Sequence, residues 1–140
     1  MDISKGFQIE QPLLFVPWKI TEPQLLDIFQ SHSLRHVTHG YYTTSCTSLI
    51  GLSHELGFHF QPRQDGSLME LELFRKAYND LTASYAEFQH HLEVVFGNPT
   101  ASDPGSIGFP AHVWRLHGAE IVHCIFDRYG PEEHVRIKKT

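Results

Sequence analysis

Cationic charge, cysteine and long apolar runs are all scarce in this chain, and each scarcity removes a class of function. Eleven Lys and Arg stand against sixteen Asp and Glu, a formal net charge of -5. The basic excess needed to grip a phosphate backbone is missing, which sets nucleic acid aside as a partner. Cys46 and Cys124 belong to no Cys-x-x-Cys pair, and a chain of 140 residues needs no disulfide staple. Both are expected to be reduced and largely buried. No stretch approaches the roughly 18 apolar residues of a membrane span. Met1-Asp2-Ile3-Ser4-Lys5 has no cationic segment leading into an apolar run, as a secretory signal would. These absences predict a cytoplasmic protein with no membrane association.

Catalytic signatures are missing as well, although the raw material for one is abundant. Histidine occurs eleven times, which raises metal and acid–base chemistry. His54-Glu55-Leu56-Gly57-Phe58-His59 approaches the zinc-protease pattern His-Glu-x-x-His but has one residue too many. Two ligands five apart on a helix diverge by about 140°, and on a strand they point to opposite faces. A looser set, His117 and His134 with Glu70 or Glu72, could meet only through the fold, and a solvated polar face explains the same residues. His123, near Trp114, reads as a satisfied core histidine. Ser53-His54-Glu55 are too close in sequence to converge as a relay. No Gly-rich phosphate loop follows a strand. No cofactor or metal is expected, and a His-based metalloenzyme remains the least favoured reading.

What the chain does contain is about 41% apolar and 12% aromatic residues, ample for one packed core, so residues 1–140 are read as a single domain. Pro12 to Val16 reads as a short extended segment. Thr21-Glu22-Pro23-Gln24 has the form of a capping box with proline in the first turn, opening a helix that should end near Ser31 to Ser33. Tyr41 to Ile50, Glu55 to Gln61 and Ser67 to Arg75 read as strands. Leu56, Phe58 and Phe60 alternate with polar residues, as do Met69, Leu71 and Leu73 with Glu70 and Glu72. Arg63-Gln64-Asp65-Gly66 between the last two supplies a hairpin turn. A second helix runs from Asn79 to Phe96 with Leu81, Tyr85, Phe88, Leu92 and Val95 on one stripe, capped by Asn79 or Asp80 and stopped by Gly97 and Pro99.

Thr100 to Pro110 is predicted to be an irregular, mobile loop. After it, Ala111 to His117, Glu120 to Asp127 and Glu133 to Lys138 form a closing meander. A two-residue turn at Gly118-Ala119 would set Trp114 opposite His123. Trp114, Leu116, Ile121, His123 and Ile125 then share one face, with Arg115, His117, Glu120, Val122, Cys124 and Phe126 on the other. No internal repeat is visible. The expected fold is α+β, a mostly antiparallel sheet of five to six strands with two helices packed on one face.

This layout resembles the small bacterial immunity proteins of polymorphic, contact-dependent or type VI secretion toxin systems. The residues that carry it are Leu56-Gly57-Phe58-His59-Phe60, Tyr85-x-x-Phe88, the stop Phe96-Gly97-Asn98-Pro99, Trp114-Arg115 and the strand Ile121-Val122-His123. The resemblance implies a non-catalytic inhibitor, monomer or homodimer, that neutralises a cognate toxin domain by direct contact. Candidate contacts are the acids Asp65, Glu70, Glu72, Asp103 and Glu120, with Tyr41, Tyr42, Phe109 and Tyr129 as aromatic anchors. Asp65 reads equally as a turn former, and Tyr41 and Tyr42 as partly core. The alternative is a secretion chaperone or adaptor that holds an effector segment along a sheet edge.

Overall fold

Two-residue alternation, rather than helical periodicity, is what most of the chain obeys. The computed structural model describes residues 1–60 and 65–140. In order, these form β1 (Gly6–Gln11), β2 (Leu14–Pro17), α1 (Glu22–Ile28), β3 (Arg35–Thr38), β4 (Tyr41–Ser48), β5 (Leu52–Phe60) and β6 (Leu68–Phe74). Then follow α2 (Leu81–Phe96), β7 (Ala101–Ser106), β8 (Phe109–Leu116), β9 (Ala119–Asp127) and β10 (Pro131–Lys139). The strands join one ten-stranded sheet in the order β2-β1-β4-β5-β6-β10-β9-β8-β7, with β3 also beside β4. Every pairing is antiparallel.

The fold class therefore needs correction: the molecule is mostly β, built on ten strands rather than an α+β sheet of five to six. Three strands lack the signals that reveal strands in sequence. β3 and β7 are exposed at every residue, so no buried residue alternates along them. β7 runs through Pro104 and Gly105, in the segment read as an irregular loop. It exists because its backbone pairs with β8, from Ala101 opposite Val113 to Ser106 opposite Phe109, and a proline is tolerated on an edge strand. β1 does alternate, burying Phe7 and Ile9 completely, but over too few residues to stand out.

Elsewhere local chemistry acts as its residue types dictate. Thr21 accepts from the Gln24 amide at 3.3 Å while Gln24 Oε1 accepts from the Thr21 amide at 2.8 Å, a complete capping box. The helix it opens ends at Ile28, earlier than expected. Asp80 caps α2 by accepting from Ala83 N at 3.0 Å, and Gly97, at φ +81°, ends it. Asp65 forms its turn by accepting from the Ser67 amide. The Arg63-Gln64 part of that connection lies outside the described residues, while β5 and β6 pair antiparallel on either side of it.

The β8–β9 hairpin sets Trp114 opposite Ile121 and Leu116 opposite Ala119, two residues away from the expected register. A shift of two preserves faces. Trp114, Ile121, His123 and Ile125 are buried as expected, with Leu116 half-buried.

Both helices bear on this inner face. Phe29, which ends α1, meets Phe58 at 5.6 Å between ring centroids, and Phe88 of α2 lies 6.3 Å from both His54 and His123. The order helix then four-stranded meander occurs twice, as α1-β3-β4-β5-β6 and α2-β7-β8-β9-β10. The two units join where β6 pairs with β10, Leu73 opposite Val135 and Leu71 opposite Ile137, all four buried.

Candidate functional site

Beneath α2, a chain of polar groups crosses the inner face. Glu133 alternates with Val135 and Ile137 along β10, so it must point inward, and its side chain is fully buried. Its Oε2 accepts from His123 Nε2 at 2.7 Å, and its Oε1 accepts from Ser84 Oγ at 2.6 Å. Ser84 Oγ accepts in turn from Arg75 Nε at 2.7 Å, and Arg75 Nη2 donates to Glu87 at 2.6 Å. His123 Nδ1 lies 2.7 Å from Gln89 Oε1, and the Tyr85 ring stacks on the imidazole at 4.4 Å. The Arg75 guanidinium also covers the Phe88 ring at 4.8 Å. His123 is the satisfied core histidine expected. Glu133, Ser84 and Arg75 were not singled out from sequence, although the alternation along β10 was signal enough for Glu133. Serine, histidine and acid are present here, but every hydroxyl and imidazole position is committed to a neighbour, and the group ties α2 to β9, β10 and the end of β6.

A second buried pair lies under β4 and β5. His54 Nδ1 donates to the Glu55 carbonyl at 2.9 Å, which fixes Nε2 as the acceptor for Ser48 Oγ. Burial pushes His54 down to about 4, so the ring is neutral at pH 7. Cys46 Sγ is 3.8 Å from the same nitrogen, and burial drives its thiol up to about 12. A hydroxyl donating to a neutral imidazole is the pairing that activates a nucleophile. Ser48 is 0% exposed, and a substrate in solvent has no contact with it in this conformation. His54 and His59 point to opposite faces. Among the described residues no three His, Cys, Asp or Glu side chains are placed to hold a metal ion.

Among the described residues, no helix lies on the sheet's other face. Cross-strand pairing draws one continuous row over it: Tyr41, His59, Glu70, Lys138, Glu120 and Arg115, each opposite the next, from β4 to β8. The neighbouring row contains Gly57, Glu72, Arg136 and Val122. Opposite charges alternate along the first from Glu70 to Arg115, and the second sets Glu72 opposite Arg136, the arrangement that stabilises cross-strand neighbours. Glu72 accepts from His59 at 3.1 Å and from Tyr41 Oη at 3.2 Å, and stands 3.7 Å from Arg136. The hydrogen bond from His59 is the main cause that holds its carboxyl below the usual range. Arg136 and Lys138 flank Glu70 at 3.6 and 3.7 Å, and Arg115 stands 3.9 Å from Glu120. Gly57 makes room for the Tyr41 ring, because a Cβ there would meet Tyr41 Oη at 2.7 Å.

Of the residues put forward from sequence, Tyr41, Glu70, Glu72 and Glu120 are thus brought together. The others are scattered. Tyr42 is buried, stacked on His36 and donating to Glu22 at 2.9 Å, and offers little contact surface. Phe109 packs on Tyr85 at 5.1 Å beside α2. Asp103 accepts from Gly105 N in its own turn, Asp65 is spent in another, and Tyr129 is 88% exposed between β9 and β10 beside Arg128.

Among the described residues no helix is long and apolar enough to cross a membrane. No family profile matches the chain, and no curated protein sequence is detectably similar to it. In fold comparison it is similar to the crystal structure of a DUF4309 family protein from Bacillus subtilis, at a TM-score of 0.44 and 15% identity over 86% of this chain and 78% of the other. At that distance the likeness informs neither fold nor function.

Proposed function

We propose that this is a non-catalytic binding protein that neutralises a toxin domain in the cytoplasm of its own cell by direct contact through the uncovered sheet face. The observation that carries the reading is the row from Tyr41 to Arg115. It spans six strands of one sheet, its charges are held in place by their neighbours, and no helix of the described residues packs over it. Such a surface is pre-organised, so little side-chain entropy is lost on docking. Tyr41, seated over Gly57 and bonded to Glu72, has the form of an aromatic anchor in a polar surround. A secretion chaperone acting by strand addition has less support, because the outer edge strand β7 is broken by Pro104 and a register shift between Asp103 and Ser106.

The test is capture from the source cells with this protein as bait, followed by expression of whatever domain survives a high-salt wash. The reading expects one folded domain at equal stoichiometry, which stops growth when expressed alone and is silenced when this protein is co-expressed. Tyr41→Ala should weaken that complex at least tenfold, about 1.4 kcal/mol. A captured effector held only through an unfolded segment would replace this reading with the chaperone.

A further inference from the structure

The outer face holds two cations that its ion pairs leave over. Arg35 in β3 and Lys76 just beyond β6 are both solvent-accessible, and neither lies within ion-pair distance of a carboxylate of the described residues. They border a trough made of two overlapping concavities of about 340 and 320 Å³, which share Arg35, Thr43, Glu55 and Lys76. Ser33, Leu34, Thr44 and Ser45 line the first as well, and Val37, Tyr41 and the half-buried Phe74 the second. Among the described residues Glu55 is the one acid of the lining, and its Oε1 already accepts from Ser45 Oγ at 2.8 Å. Two cations against one carboxylate make the trough locally positive on a chain whose net charge is -5.

We infer that this trough seats an acidic, extended loop of the partner protein, an inference that rests on the binding function proposed above and names the chemistry of what is bound. A guanidinium takes a carboxylate through two parallel hydrogen bonds, and a lysine beside it adds a point charge. Phe74 and Val37 in the wall supply apolar contact. Adjoining concavities with an aromatic in the wall fit several residues of chain better than a single small ion. The acids of the face, Glu70, Glu72 and Glu120, are neutralised by their own neighbours, so the charge left to select a partner is that of Arg35 and Lys76.

An NMR titration tests this with a heptapeptide of alternating Asp, Glu and Phe, and a control in which Asn and Gln replace the acids. The expected result is shifts centred on the trough lining, Val37, Tyr41, Thr43, Ser45, Phe74, Lys76 and the Arg35 side chain, weakened by added salt. Arg35→Glu with Lys76→Glu, both at exposed sites and checked by an unchanged dispersion of the free protein's spectrum, should lower affinity at least tenfold, while Arg128→Ala in the exposed turn between β9 and β10 leaves it unchanged. Equal binding of the neutral peptide, equal binding by the double variant, or shifts centred on Arg136 and Lys138 would overturn the inference. Capture of a toxin domain that the double variant binds equally well would also overturn it, yet leave the binding function standing. Peptide binding at the trough with no captured partner supports the trough and sinks that function.

Discussion

His54 shows how one residue ties burial to pH. Its imidazole has an ordinary value near 6.5 in the unfolded chain and is pushed down to about 4 when folded, so the unfolded state binds the proton more readily. The stability this residue contributes is complete above pH 6.5 and is lost as pH falls from there through 4. Two and a half pH units correspond to about 3 kcal/mol. Urea unfolding followed from pH 7 to pH 4 should show stability falling across this window, and a flat profile would contradict the burial of His54. Glu133 is the other residue on which the interior depends. Replacing it with Ala strands His123 and Ser84 without their acceptor and should cost about 3–5 kcal/mol. Glu133→Gln, which keeps the shape and one acceptor, should cost less in the same urea measurement.

At the scale of elements, the turn between β4 and β5 departs furthest from ordinary backbone. Leu49 and Ile50 adopt φ +52° and +59°, a region that a β-branched residue such as Ile enters only at a cost. Glu10 holds the turn, its two oxygens accepting from Ile50 N at 2.8 Å and Gly51 N at 2.9 Å, and His91 Nδ1 bonds the Leu49 carbonyl at 2.7 Å. Because Ile50 is 63% exposed, Ile50→Gly removes strain with little loss of packing and should raise stability by about 1 kcal/mol. Glu10→Ala should lower it by about 1–3 kcal/mol. Thermal melts of the two variants should therefore move in opposite directions. Elements that bury a repeating pattern were legible in the sequence, as with β5, α2 and the inward set of β8 and β9. β3 and β7 were not, because their existence depends on which backbone lies beside them and their side chains stay in water. The four site candidates that converge did so for the same reason in reverse: Glu70 and Glu72 were visible as the polar half of an alternating strand. Arg35 and Lys76 were hidden because being unpaired is a property of neighbours brought from other strands.

The whole molecule repeats a helix followed by four strands, a duplication of order that no sequence repeat announces. The two units share a core, with Phe88 of the second against His54 of the first and the β6–β10 pair at the seam. A fragment of residues 79–140 should accordingly be unfolded by circular dichroism, and a cooperatively melting fragment would contradict the shared core. The same arrangement places both helices on one side and, among the described residues, leaves the other without one, the face we propose for a partner. Hydroxyl-radical footprinting of the one-to-one complex with the captured domain tests that claim most directly. The account predicts that complex formation protects Tyr41, His59, Phe74 and Phe126 on the sheet face, while Leu26 and Val94 on the helices react as they do in the free protein. Protection of Leu26 and Val94 with Tyr41 and Phe126 still reactive would contradict it.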